Sequence, residues 1–134
     1  MFVLRIAFAI TTLTAIQQTA DVRVSNAHLQ TACVDGKPSD RRTWELAQRE
    51  TTMVFTMRNQ PRLGRDGAEA GFAAITFTPE PGHTYEIEVR AEPSHYSDRV
   101  WPKGAWRPVV RDRTTDRIVS SAPRWVHSPC ADSE

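Results

Sequence analysis

Serine, histidine and aspartate fall together in Ser94-His95-Tyr96-Ser97-Asp98, the residue types of an acyl-transfer triad. A nucleophile, its base and the acid that orients the base must converge from separate points of a scaffold. One short stretch does not supply that, so it reads as a polar, solvated loop. Glu86 and Glu88 occupy alternate positions of another segment. Strand geometry sets such carboxylates on one face about 7 Å apart, a spacing compatible with acid/base hydrolysis. Arg90 continues that face, and ion pairing with a neighbouring strand is the plainer expectation. The histidines, His28, His83, His95 and His127, show no H-x-H or H-E-x-x-H spacing, so a metal site would have to be assembled in space, from His83, His95 and Glu86. No catalytic residue, metal ligand or cofactor is assigned on this basis. A small hydrolase or metalloprotein built on His83, His95 and the Glu86/Glu88 pair stands as the competing reading.

Recognition chemistry is densest in Tyr96, Arg99, Trp101, Trp106 and Arg107, with Asp98 among them. Aromatic faces beside guanidinium and carboxylate groups stack on a sugar ring or anchor a peptide. The opposing expectation is that Trp106 is core and Trp101 packs under its own loop. Gly64, Gly67 and Gly71 lack the Lys-Ser/Thr ending and the preceding strand of a phosphate cradle, and mark an exposed loop over residues 59–71.

The elements that would position these groups are strands. Tyr85, Ile87 and Val89 alternate with Glu86, Glu88 and Arg90, and Ala73, Ile75 and Phe77 supply an apolar face just before them. With Pro79-Glu80-Pro81-Gly82 between, the two runs predict an antiparallel hairpin. Further strands are expected from Asp21 to Val24, Thr43 to Leu46, Thr51 to Arg58 and Trp106 to Asp112. Pro108 puts the last of these at a sheet edge, because proline has no amide hydrogen to donate. Val34-Asp35-Gly36-Lys37-Pro38 reads as a tight turn, and Thr114-Thr115-Asp116-Arg117 reverses the chain into Ile118-Val119-Ser120. Roughly five to seven short strands with turn signals and little helix predict an all-β fold, a small antiparallel β-sandwich. Its core is expected from Met53, Phe55, Ile75, Phe77, Tyr85, Ile87, Val89, Trp106 and Val110.

At 134 residues the chain is long enough for one such domain and too short for two. Residues 1–20 hold a single charge, Arg5, then the apolar run from Ile6 and the polar exit Gln17-Gln18-Thr19-Ala20, the plan of a secretory signal peptide. The domain proper would then be 21–134. The run is too short to span a bilayer and no membrane anchor follows it. A buried first element of a cytoplasmic protein is the alternative. Leu29-Gln30-Thr31-Ala32-Cys33 is rejected as a lipoprotein processing site, because Asp21, Arg23 and His28 separate it from the apolar run. Seventeen Lys+Arg stand against sixteen Asp+Glu, and removing the leader takes away Arg5 alone. The remaining balance gives no electrostatic drive toward nucleic acid or an acidic membrane. Cys33 and Cys130 sit near the two ends of the mature chain, and outside the cytosol their simplest fate is one disulfide joining the first strand to the tail. If the protein is cytoplasmic, both stay reduced.

Val34-Asp35-Gly36-Lys37-Pro38, then Trp44-Glu45-Leu46 and Met53-Val54-Phe55, resembles the PEGA-type extracytoplasmic β-module, in which a Val-Asp-Gly turn precedes two strands. The second half, from Pro81-Gly82-His83-Thr84-Tyr85 to Trp106–Asp112 and a Thr-rich turn, looks like small bacterial secreted proteins and lipoproteins of sandwich type. The resemblance implies a periplasmic or secreted envelope protein, Ig-like or PEGA-like in fold, and carries over no catalytic residue. The expectation is a non-enzymatic binding or structural module for an envelope protein or glycan, acting through Tyr96, Arg99, Trp101, Trp106 and Arg107.

Overall fold

A strand with one face in a core and one in water alternates buried and exposed residues, and Thr19–Val24 does so without a break. Ala20, Val22 and Val24 are buried, while Thr19, Asp21 and Arg23 are exposed. The same rule organises the rest of the computed structural model, which describes residues 19–57, 71–91, 106–128 and 130. In chain order the strands are β1 (Thr19–Val24), β2 (Leu29–Val34), β3 (Lys37–Pro38), β4 (Thr43–Ala47), β5 (Thr51–Met57), β6 (Phe72–Phe77), β7 (Thr84–Ala91), β8 (Trp106–Asp112), β9 (Arg117–Ile118) and β10 (Arg124–Val126). They form two five-stranded sheets, ordered β4-β1-β7-β8-β9 and β10-β6-β5-β2-β3, and no helix occurs among the described residues. The fold is all-β, a small sandwich, and every pairing is antiparallel except that of β1 with β7. β1 opens at Thr19, slightly ahead of the Asp21 read from the sequence.

The core lies between the sheets. Val22, Tyr85, Ile87, Trp106 and Val110 of the first meet Leu29, Met53, Phe55, Ile75 and Phe77 of the second, with Val89 partly buried against them. Trp106 packs edge-on against Trp125 of β10, ring centroids 5.1 Å apart. Each large side chain buried here contributes about 1.5–3 kcal/mol.

The hairpin expected from β6 and β7 does not form. Both strands exist, but β6 pairs with β5 and β10 in one sheet while β7 pairs with β1 and β8 in the other. Two prolines fix φ and remove amide donors, which is unsuited to the tight primed turn of a hairpin and suited to a corner. Pro79 is buried in that corner, and the two apolar faces meet across the interior instead of side by side, with Phe77 and Tyr85 ring centroids 5.6 Å apart. The β2–β3 turn does follow the sequence reading, with Asp35 and Gly36 at φ of 50° and 82°. β8 has β9 beside it, but β9 reaches only Arg111 and Asp112. The Val110 amide points to Ser120 on that side, so the nitrogen of Pro108, in phase with it, also faces away from β7 and forfeits no bond of that ladder.

β2 was hidden from the alternation by a bulge. Thr31 pairs with Phe55 but Cys33 pairs with Val54, so Ala32 is an extra residue that reverses the faces of those after it. Thr31 thereby faces the interior while Cys33 faces outward, where it joins Val54, Ala74, Phe72, Val126 and Cys130 in a second apolar cluster. Cys33 and Cys130 stand at disulfide distance, Cα atoms 5.5 Å apart, and tie the carboxy-terminal tail to β2 and not to the first strand as expected, because Cys33 belongs to the strand that the sequence pattern did not reveal. Across the sandwich, the half-buried Arg42 guanidinium donates to the carbonyls of Leu29 at 2.9 Å and Asn26 at 2.6 Å, locking the passage from β1 to β2.

Thr31, Thr51 and Asp112 are the buried polar residues among those described, and Thr31 differs from the other two. Its hydroxyl is buried and meets no hydrogen-bond partner among the described residues. A polar group desolvated without compensation is destabilising, whereas an apolar group of the same shape is not. Thr31→Val is expected to stabilise the protein by about 1 kcal/mol, seen as a higher urea midpoint at unchanged slope; a lower midpoint would show that the hydroxyl contributes a bond.

Candidate functional site

The outer face of the first sheet collects its charges by register. Glu45, Asp21 and Thr84 lie side by side across β4, β1 and β7, and Thr43, Arg23 and Glu86 form the next row. Apart from Glu86, these residues, together with Arg41, Val22, Trp44 and Tyr85, line a concavity of about 540 Å³. Arg23 is committed to Glu86, Nη2 to Oε2 at 2.6 Å, and Arg113 approaches the other oxygen of Glu86 at 3.9 Å. Farther along, Arg111 binds Glu88 at 3.1 Å and reaches Asp116 at 3.4 Å. The concavity therefore presents hydroxyls and carboxylates on three strands with the Arg41 guanidinium from the segment before β4, a hydrogen-bonding surface with donors and acceptors of both signs.

At one end of this face lies a buried ionic corner. Asp112 is in phase with the inward residues Pro108 and Val110, and is only 3% exposed. Its Oδ2 lies 2.7 Å from His83 Nδ1, and its Oδ1 accepts the Thr114 and Thr115 amides at 2.8 and 3.2 Å. Burial pushes the Asp112 carboxyl upward, but the His83 hydrogen bond and the two amides outweigh it, leaving the group below its ordinary value of 3.8. The same hydrogen bond from Asp112 raises His83 above 6.5 against the opposing effect of desolvation. Tyr85 stacks near His83, ring centroids 6.2 Å apart, and its oxygen accepts the Glu80 amide at 2.8 Å. Burial raises the Tyr85 phenol, which stays protonated at neutral pH. His83 Nε2 faces Glu80 Oε1 at 3.8 Å, so both ring nitrogens meet carboxylates. This geometry braces a corner.

The residues singled out by sequence separate accordingly. Glu86 and Glu88 do share a face; Arg23 of β1 and Arg113 of the β8–β9 turn approach Glu86, and Arg111 of β8 binds Glu88. His83 is drawn to Asp112, and among the described residues no group of three His, Cys, Asp or Glu is placed to hold a metal. Trp106 is in the core and Arg107 is exposed on β8. Tyr96, Arg99, Trp101, His95 and Ser94 lie outside the described residues, as do the Gly64 and Gly67 segment and the leader to residue 18. Asp112 was not singled out, although one cue existed: a carboxylate in phase with Trp106, Pro108 and Val110 must be inward and therefore partnered. The trough itself needed the β4-β1-β7 order, which no spacing encodes. Comparison with family models, curated proteins and solved structures finds no match in any of the three.

The corner makes stability depend on pH in a definite sense. A raised His83 contributes fully below its ordinary 6.5 and loses that contribution as pH rises through its folded value; a lowered Asp112 contributes above 3.8 and loses it as pH falls through its own. The pair is thus most stabilising between those two ordinary values. His83→Gln is expected to flatten the decline in melting temperature above pH 6.5 relative to the parent; an unchanged profile in that variant would remove His83 as the titrating group.

Proposed function

We propose that this chain is an exported module of the cell envelope, periplasmic or secreted, that binds a protein or glycan partner without turning it over. The observation that carries the reading is the Cys33–Cys130 pair, at disulfide distance across a separation of 97 residues. Such pairs persist in oxidising compartments and are rare in the cytosol. The resemblance of the Val34–Pro38 turn to PEGA-type modules supports the same location. Among the described residues no helix is long and apolar enough to cross a membrane.

Binding is supported by the polar trough. Thr43 and Thr84 offer hydroxyls, Asp21 and Glu45 carboxylates and Arg41 a guanidinium around one concavity. That repertoire suits the hydroxyls of a sugar or the backbone of a peptide. In the sequence between β7 and β8, Tyr96, Arg99 and Trp101 are separate recognition candidates, followed by Arg107 on β8. The competing hydrolase is less well supported, because Glu86 and Glu88 are already spent on arginines.

Two measurements test this. Cross-linking in intact cells is expected to capture an envelope partner, and Trp101→Ala to lower its recovery about tenfold, the effect of losing one aromatic anchor. Capture of nothing from intact cells, or a turnover abolished by His95→Ala, would overturn it. Reduction is expected to add the mass of two hydrogens and to lower stability by about 2–5 kcal/mol; free thiols before reductant would count against export.

A further inference from the structure

The second sheet is apolar on both faces, and the two faces are covered by different parts of the chain. Leu29, Met53, Phe55, Ala73, Ile75 and Phe77 turn inward to the main core, whereas Cys33, Val54 and Ala74 lie on the outer side, packed with Phe72, Val126 and Cys130. The tail reaches that outer side by way of the β6 margin. Ser121 donates its amide to the Thr76 carbonyl at 2.9 Å and accepts the Thr76 amide on its hydroxyl at 3.0 Å. β10 then pairs with Phe72 to Ala74 of β6. The sheet order places β6 and β5 between Val126 and the Cys33–Cys130 pair on β2.

The main core owes little to this segment. Of the described tail side chains, only Trp125 packs against it, partly buried and edge-on to Trp106. Without its covalent tie, the tail would be held by three strand residues and two half-buried side chains, too few to order a chain end. The two sulfurs also differ in access. Cys33 is 1% exposed, while Cys130 is only partly buried, so an attacking thiolate meets Cys130 first.

We infer that the segment carrying β10 and Cys130 is a redox-sensitive strap, released by a dithiol reductant while the sandwich stays folded; this rests on the joined cysteine pair of the export reading. The reductant's thiolate bonds to Cys130 Sγ as the Cys33–Cys130 bond breaks, and the electron pair leaves on Cys33 Sγ, which takes a proton. The second thiol then closes the reductant's own disulfide, and Cys130 departs as a thiol. Two electrons and two protons pass in all from the dithiol to the cysteines. Release uncovers Phe72, Val54 and Ala74 together with the outer margin of β6, a surface suited to pairing with another strand.

The test is hydrogen exchange, read by peptide, on the full chain isolated from its own host, before and after dithiothreitol. Exchange over Arg124–Val126 is expected to quicken at least about tenfold on reduction, with β1, β7 and β8 unchanged. Equal loss of protection in both sheets would show that the bond holds the whole fold, and an unchanged β10 that the tail stays seated without it; either overturns the strap. Cys130→Ser is expected to show the released pattern with no reductant, and a protected β10 or an unfolded chain in that variant overturns it as well. Thiols already free in the isolated chain count against export, and the strap is then decided by the same comparison after the pair is closed with oxidised glutathione.

Discussion

The carboxylate of Asp112 is the interaction on which the architecture turns. It is buried, so it must be paired, and its partners come from three directions: the His83 ring, and the Thr114 and Thr115 amides of the β8–β9 turn. His83 stands at the end of the crossing from one sheet to the other, and its carbonyl accepts the Asp21 amide of β1. One anion therefore joins the crossover, the turn after β8 and the parallel pairing of β1 with β7. Parallel neighbours cannot be linked by a tight turn, so their register needs an anchor outside the ladder, and this corner provides it.

The second sheet is organised by a different constraint, the extra residue at Ala32. Without it, strict alternation along β2 would put Thr31 and Cys33 on the same face. The bulge sends Thr31 into the core and Cys33 out to meet the tail. It also explains why β5 is buried on both faces: Met53 and Phe55 contact the interior while Val54 lies beneath Cys33, Cys130 and Val126. The carboxy-terminal segment is in this sense the lid of a small outer core, and β10 extends the sheet by pairing with β6.

How much of this was legible follows from what alternation encodes. A period of two states which residues share a face, and so it located β1, β5, β6, β7 and β8 and the buried Met53, Phe55, Ile75, Phe77, Tyr85, Ile87, Trp106 and Val110, while Val22, Leu29 and Trp44 of the core were not among those expected. It does not state which strand lies alongside, which is why β6 and β7 were assigned to each other although a proline corner separates them into different sheets. β2 was missed because a single inserted residue destroys the pattern, and β10 because three residues are too few to show one. The same division holds for the site. That Glu86 and Glu88 face together was visible, but Arg23 is 63 positions from Glu86 and Arg111 is 23 from Glu88, and only the sheet order brings them into contact.

The perimeter of the two sheets has a consequence of its own. Among the described strands, the outermost are β4, β9, β10 and β3, and of these β9 and β3 have two residues and β10 three. Unpaired backbone at a margin is a template on which another copy can stack, and short margins offer few rungs. β4, with five residues and the outward charge of Glu45, is the longest of these four. Side-by-side addition of a second copy along β4 would set that copy's backbone against the Glu45 charge, the kind of residue that blunts a sheet margin.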